Sequence, residues 1–399
     1  MFLTTEEERM FEGEEGSATQ KAMKLLVKLG EVFGAEKLIK IQSSQISGIS
    51  FKNIGDAGLE FIEDMLAWGG SIKTLATLNP AGMDLQRWKA MDIPDSFAEK
   101  QLRIVSVLHK LGAVPLCSCT PYIAGNMPLF GEHIAWAESS AVSFANSIIG
   151  AKTNRESGPA SLAASLTGRT PLFGYHLPEN RHGTRLVKVK LEPRGVLEYG
   201  CLGYLIGEML RNEVPVIDGI VSPSVEELKV LGAGGAASGA IAMYHIKGIT
   251  PEAPKEGECK ELERIEIEEE DIKNVANRLS SSSSEEVDIV TIGCPHCNLN
   301  EIGYIAEKLS GKKIVEDKTL WVCTSASIKS LAERVGYVGR IENAGGLVVA
   351  DTCMVVAPLE KMGFNGLATN SSKAAHYVPS TCKLPALLGS LDKCLSLVT

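Results

Sequence analysis

The chain has 399 residues, 44% of them hydrophobic, with a formal net charge of −9 and a pI of about 5.5. That length can bury a large core and implies two or three domains. The acidic balance, without any basic block, disfavours nucleic acid as a primary ligand, because phosphate-backbone binding needs clustered Lys and Arg.

The first residues (MFLTTEEERMFEGEEG) are acidic and lack an apolar core, so they do not read as a signal peptide. No apolar run approaches the length of a membrane span, and a soluble, cytoplasmic protein is expected. Thr5 with Glu8 reads as a capping box opening a short helix. Ser17 with Gln20 opens the next, where Ala22, Leu25, Leu26, Leu29, Val32 and Phe33 form one apolar stripe. Leu38 to Ile41 predicts a strand. The Ser43 to Ser50 stretch after it reads as a hydroxyl-rich loop suited to an anion, although an ordinary Ser-rich turn would have the same composition. Gly58 to Ala67 reads as helix, Thr74 to Leu78 as extended chain, and Asn79-Pro80-Ala81-Gly82 as a turn at its end.

Pro94 to Leu111 contains a long amphipathic helix. Trp136 to Ser140 starts another, and its Glu138 reads as a carboxylate serving the helix dipole. Arg185 to Val196 alternates apolar and charged residues as an edge strand does. Gly232 to Gly239 has the wrong spacing for a dinucleotide fingerprint and suggests a small-residue helix packed close to a neighbour. Residues 251 to 286, acidic and ending in Ser280 to Ser284, form the best linker candidate.

Ten cysteines in a chain this long do not form a disulfide scaffold. The strongest local signal is Asp288 to Leu309: a β-branched run, Gly293, Cys294-Pro-His-Cys297, then Asn298 as N-cap of a helix. The pattern of an apolar run followed by cysteine recurs at Ala113 to Cys119, Leu320 to Cys323 and Gly346 to Cys353. In an open parallel sheet, ligands bind outside the carboxyl ends of the strands, so these thiols are expected to converge there. Cys201, Cys259, Cys323, Cys382 and Cys394 read as buried hydrophobes. Cys119, Cys294 and Cys353 sit beside Gly, Pro or Asp in turns and read as candidate metal ligands. With one CxxC and no ferredoxin run, any iron–sulfur cluster must gather ligands from remote segments. Asn370 to His376, a polar loop at a helix start, is a second candidate anion site or a plain N-cap.

Ser47-Gly-Ile-Ser50, Asn79-Pro-Ala-Gly82, Cys119-Thr-Pro-Tyr122, Trp136-Ala-Glu-Ser-Ser140, Asn154-Arg-Glu156, Gly293-Cys-Pro-His296, Asp351-Thr-Cys353 and Asn370-Ser-Ser-Lys-Ala-Ala-His-Tyr377 together resemble the aconitase X family over nearly the whole chain. The resemblance implies an aconitase-like catalytic core of several α/β/α domains with mostly parallel sheets, lacking the swivelling domain. The expected division is 1–112 with substrate loops, 113–285 with the first cluster cysteine, and 286–399 with the others. By resemblance, Cys119, Cys294 and Cys353 hold a [4Fe–4S] cluster with one iron not ligated by protein, which oxygen would degrade, down to a mononuclear iron centre. Cys297 departs from the family pattern and is either a spare thiol or an alternate ligand. The implied substrate contacts are Gly48, Ile49, Ser50, Asn79, Pro80, Glu138 and Ser139, with Ser371, Ser372 and Lys373 at the far end.

The swivelling domain that carries the serine base has no counterpart here. In split members of the family it is a separate small subunit, so a heterodimer is expected, with no base assigned to this chain. The implied activity is that of a hydro-lyase in an archaeal-type mevalonate pathway of isoprenoid biosynthesis. It would convert (R)-5-phosphomevalonate, a small phosphorylated hydroxy acid, to trans-anhydromevalonate 5-phosphate. The alternatives are a cis-3-hydroxy-L-proline dehydratase of the same family, a non-catalytic iron–sulfur sensor, and a thiol redox protein using Cys294 and Cys297.

Overall fold

The computed structural model describes all of residues 1–399. The strand Ile289–Cys297 is buried along its whole length, as expected for a β-branched run covered on both faces. Asn298 caps the following helix, Leu299–Lys308: its side chain accepts the Glu301 N–H at 2.9 Å while Glu301 returns to the Asn298 N–H at 2.9 Å. Ile302, Ile305 and Ala306 press that helix onto the sheet. Burying each large aliphatic side chain is worth about 1.5–3 kcal/mol.

This strand is the centre of a five-stranded parallel sheet in the spatial order Leu347–Ala350, Thr319–Thr324, Ile289–Cys297, Leu367–Thr369, Ala386–Leu388. The chain winds outward on one side of Ile289–Cys297 and then crosses to the other. The order therefore reverses between Ile289–Cys297 and Leu367–Thr369. A second parallel sheet repeats the arrangement in the order Val114–Cys117, Leu75–Leu78, Ser43–Ile46, Ala135–Trp136. Its reversal lies between Ser43–Ile46 and Ala135–Trp136. A third parallel sheet runs Arg264–Ile267, Arg185–Val189, Pro215–Asp218, His245–Ile246. These mostly parallel sheets with packed helices agree with the expected α/β class. No helix is long and apolar enough to cross a membrane.

Several local expectations are corrected. The first capping box is Thr4 with Glu7, one residue earlier than expected. The second helix, Ser17–Val32, starts after Gly16 without a side-chain cap, and its stripe runs out into exposed Val32 and Phe33. Ser43 to Ile46 is a fully buried strand, not part of a loop, because neighbours inside the fold absorb two of its polar groups. Trp136 Nε1 donates to Ser43 Oγ at 3.2 Å, and Gln45 Nε2 donates to the Ser118 carbonyl at 2.8 Å. The strand expected at an edge is Arg185–Val189, and it lies inside its sheet. Its charges are compatible with that place because Arg185 pairs with Glu213 and Lys188 with Asp218.

The linker candidate is folded: it contains the strand Arg264–Ile267 and the helix Glu269–Arg278. Its serines bond the edge strand Ala386–Leu388. Ser281 N–H donates to the Ala386 carbonyl at 2.7 Å, and Ser280 Oγ accepts the Leu388 N–H at 3.1 Å. The second parallel sheet also crosses the division expected at residue 112, since Val114–Cys117 and Ala135–Trp136 pair within it. The small-residue helix is as expected. Val225–Gly239 lies so close to Gly195–Leu210 that a Cβ on Gly239 would sit 1.8 Å from the Gly207 carbonyl oxygen.

Candidate active site

The carboxyl ends of the five-stranded sheet and the second parallel sheet face one another. An isolated parallel bridge joins Ala81 to Thr352, and the Ala81 N–H donates to the Asp351 carbonyl at 2.7 Å. Between them lies a cavity of ≈ 300 Å³. Ser47 to Ser50 reach it from the end of Ser43–Ile46, and Ala137 to Ser139 from the end of Ala135–Trp136, the two strands flanking one reversal. Asn79, Pro80 and Cys119 follow the neighbouring strands of that sheet. From the opposite sheet come Cys294, Cys353 and, at the start of the helix Ser372–Thr381, Lys373. Both reversals thus open onto one cavity, the position where open α/β sheets bind ligands.

Cys119, Cys294 and Cys353 are all buried and all line this cavity. Burial pushes each thiol up; Glu138 and the other two thiols raise Cys119 further and Cys294 raises Cys353, while Lys373 pulls all three in the opposite direction. The backbone N–H of His296 donates to Cys119 Sγ at 3.2 Å. No three His, Cys, Asp or Glu side chains converge closely enough for a single metal ion. The donor set does fit a multinuclear iron–sulfur group, in which each thiolate takes a different iron. It offers three soft donors on three segments, with an N–H aimed at one sulfur. Cys297 lies away from this set. It packs among the residues of the C-terminal core, with Ile302 and Leu320, and does not line the cavity.

Lys373 Nζ forms a buried ion pair with Glu138 and a hydrogen bond to Ser140 Oγ at 3.1 Å. Burial opposes the charge on both, but each outweighs that cost for the other: Lys373 is held above its ordinary range and Glu138 below it. Glu138 also accepts the Ser140 hydroxyl at 2.7 Å and the Ala141 N–H at 2.6 Å. The helix-capping role expected for it is therefore present, together with the ion pair that sequence reasoning did not foresee.

The two expected anion loops differ. Gly48, Ile49 and Ser50 all line the cavity, and their N–H groups donate to nothing in the chain. Gly48 turns the loop at φ 71°, a conformation that favours glycine. In the second loop only Lys373 reaches the cavity. The Ser371 hydroxyl donates to the Cys294 carbonyl, and the Ser372 hydroxyl to the Gly200 carbonyl at 2.8 Å. Asn370 lines a separate hollow of ≈ 450 Å³ with Arg194, Glu301 and Asp392. Sequence reasoning missed Tyr377 and Thr381, which share the cavity wall. Their spacing of four and eight from Lys373 on one helix was the available signal.

Profiles of the Aconitase X first, second and third domains match residues 1–179, 183–277 and 287–399. The chain belongs to the aconitase X family. It is 50% identical to the phosphomevalonate dehydratase large subunit of Methanocaldococcus jannaschii over 99% of each chain. A crystal structure of Thermococcus kodakaraensis aconitase X in its holo-form superposes with a TM-score of 0.93 at 43% identity, covering 100% of both chains. The cis-3-hydroxy-L-proline dehydratase of Pseudomonas aeruginosa is more distant, 32% identical over 98% of this chain and 68% of its own length. Within the aconitase X frame, the cavity is bordered by segments of the first and third matched domains. The second contributes support from behind, through the Gly200 carbonyl that receives Ser372.

Proposed function

We propose that this chain is the large subunit of a phosphomevalonate dehydratase, a hydro-lyase of the cytoplasm that works with a small subunit. The observation that carries this reading is the convergence of Cys119, Cys294 and Cys353 with the Glu138–Lys373 pair in one cavity. The full-length likeness to a relative of that name favours phosphomevalonate over hydroxyproline.

Cys119, Cys294 and Cys353 would hold a [4Fe–4S] cluster. When bound, the cluster supplies an iron without a protein ligand, a Lewis acid for the departing hydroxyl of a hydroxy acid. Lys373 has three N–H donors; Glu138 and Ser140 take two, leaving one for the substrate carboxylate. It lines the cavity beside Cys119 and Cys294, which supports a place for this cation at the reacting end. The phosphate therefore falls to the open N–H groups of Gly48, Ile49 and Ser50, at the N-terminus of the helix Phe51–Ala67. Asn79, whose buried Oδ1 has no partner in the chain, and Ser139 would face the single tertiary hydroxyl of the substrate, the one that departs. Pro80 closes the wall beside them.

Dehydration removes a proton from the carbon beside the carboxylate and the hydroxyl from the next carbon. The base for that proton is assigned to a serine on the partner. The deciding experiment purifies the chain anaerobically with its small subunit, measures iron and sulfide, and assays phosphomevalonate, mevalonate and cis-3-hydroxy-L-proline. Turnover of phosphomevalonate alone is expected. Turnover of hydroxyproline without phosphomevalonate would overturn the assignment.

A further inference from the structure

His296 is fully buried, and its backbone N–H and both ring nitrogens meet segments that carry the other two cavity thiols. It stands two residues after Cys294. Its backbone N–H donates to Cys119 Sγ at 3.2 Å. Its ring Nδ1 lies 3.1 Å from Ser118 Oγ, beside Cys119, and its Nε2 lies 2.9 Å from the carbonyl of Thr352, beside Cys353. Its own carbonyl accepts from Lys229 Nζ at 3.0 Å, and Lys229 is itself paired with Glu301 at 2.5 Å on the following helix.

These contacts set the proton positions. A carbonyl only accepts, so Nε2 carries the hydrogen toward Thr352. Nδ1 is then the acceptor and takes the Ser118 hydroxyl, which in turn accepts the Thr120 N–H at 3.1 Å. A rigid ring with a donor on one edge and an acceptor on another is what imidazole offers, and no amide side chain spans both partners. We infer that His296 is a positioning residue that holds the Cys119, Cys294 and Cys353 segments in mutual register for cluster binding. This rests on the proposed reading of those cysteines as the ligands. Neighbours that orient metal ligands typically contribute about 10- to 100-fold in metal affinity.

The test uses the complex with the small subunit, reconstituted anaerobically, as wild type, His296→Ala, His296→Asn and His296→Gln. Asn keeps a partner for Ser118, Gln a donor for Thr352, and Ala neither. The readouts are the rate at which a chelator bleaches the cluster absorbance, and the melting temperatures of loaded and metal-free complexes. Bleaching is expected to be about tenfold faster for Asn and Gln and up to about 100-fold faster for Ala, with a reduced gap between loaded and metal-free melting temperatures. If Ala fails to fold, Asn and Gln decide. Variants that bleach at the wild-type rate, or that lower both melting temperatures equally, would overturn this inference alone. A wild-type complex that takes up no cluster would overturn the proposed function first, and this with it.

Discussion

Cys294 and Cys297 lie on the same strand, yet they face opposite sides of the C-terminal sheet. Cys294 opens on the cavity with Cys119, Cys353 and Lys373, whereas Cys297 is packed into the apolar core under the helix Leu299–Lys308. Plain alternation does not set this sidedness, because the register with Thr319–Thr324 slips between Ile292 and Cys297 and the extra residues bulge out of the ladder. Gly293 permits the close packing there: with φ 107°, it would place a Cβ 2.2 Å from the Cys323 carbonyl and 3.2 Å from Cys297 Sγ. A CxxC spacing therefore does not make a dithiol unless the backbone returns both sulfurs to one side, as the turn at the start of a helix does. Here the chain bulges after Ile292 and rejoins the ladder at Cys297, opposite Thr324, with Cys297 in the core on the far side from the cavity.

The largest expected effect sharpens that contrast. Cys119→Ser, Cys294→Ser and Cys353→Ser should each bring cluster absorbance and dehydratase activity of the anaerobic complex below detection, while Cys323→Ser leaves the absorbance in place. Full iron content and activity in any of the first three would remove that residue from the ligand set.

The next effect concerns the cation on the thiol side. Losing a charge-assisted contact costs about 1.5–3 kcal/mol, so Lys373→Ala should lower kcat/KM for phosphomevalonate by roughly 10- to 150-fold. It also strands Glu138 as a buried, unpaired carboxylate, and breaking a buried pair costs about 3–5 kcal/mol of stability. Denaturant unfolding of the variant should show that loss, and Lys373→Ala with Glu138→Gln should recover part of it while activity stays low. Recovery of both together would mean that Lys373 serves only the fold.

The thiol positions were legible in the sequence because Cys119, Cys294 and Cys353 each follow an apolar run beside a turn former, a local pattern that sheet topology then converts into convergence. The ion pair of Lys373 with Glu138, 235 positions apart, carried no local signal at all. Arg185–Val189 was misplaced at an edge for a related reason: alternating charge marks exposure only when the charges lack partners, and Glu213 and Asp218 supply them. The Ser280 to Ser282 segment has a linker's composition, yet its hydroxyls and backbone complete the edge of the C-terminal sheet. Composition measures what a segment can do in water, and these segments are judged by what they meet.

The two hydroxyl-rich loops differ in the same way and give a smaller effect. Gly48→Ala forces a Cβ into left-handed backbone, which costs about 1–2 kcal/mol, and should raise KM for phosphomevalonate more than for mevalonate. Ser372→Ala removes only the bond to the Gly200 carbonyl and should cost about 1 kcal/mol of stability, with KM unchanged. Equal KM changes for the two substrates in Gly48→Ala would separate that loop from the phosphate.

The smallest effect on catalysis is expected at Cys297 itself. This residue belongs to the C-terminal apolar core with Ile302 and Leu320, and burial pushes its thiol further from ionisation, with Glu301 adding to the shift. A protonated thiol walled off by side chains is neither a nucleophile nor a metal ligand. Cys297→Ala should therefore cost about 1 kcal/mol through the small void it leaves, visible as a shift in the denaturant midpoint at unchanged slope. Iron and sulfide content and kcat/KM should stay at the wild-type level. A redox enzyme built on Cys294 and Cys297 needs both sulfurs, so it would lose activity as completely as in Cys294→Ser. If the two variants fell together, the sidedness of the strand would not be what separates these cysteines, and the dithiol reading would return. If Cys297→Ala keeps its cluster while Cys294→Ser loses it, the two sides of one strand divide cleanly into chemistry and packing.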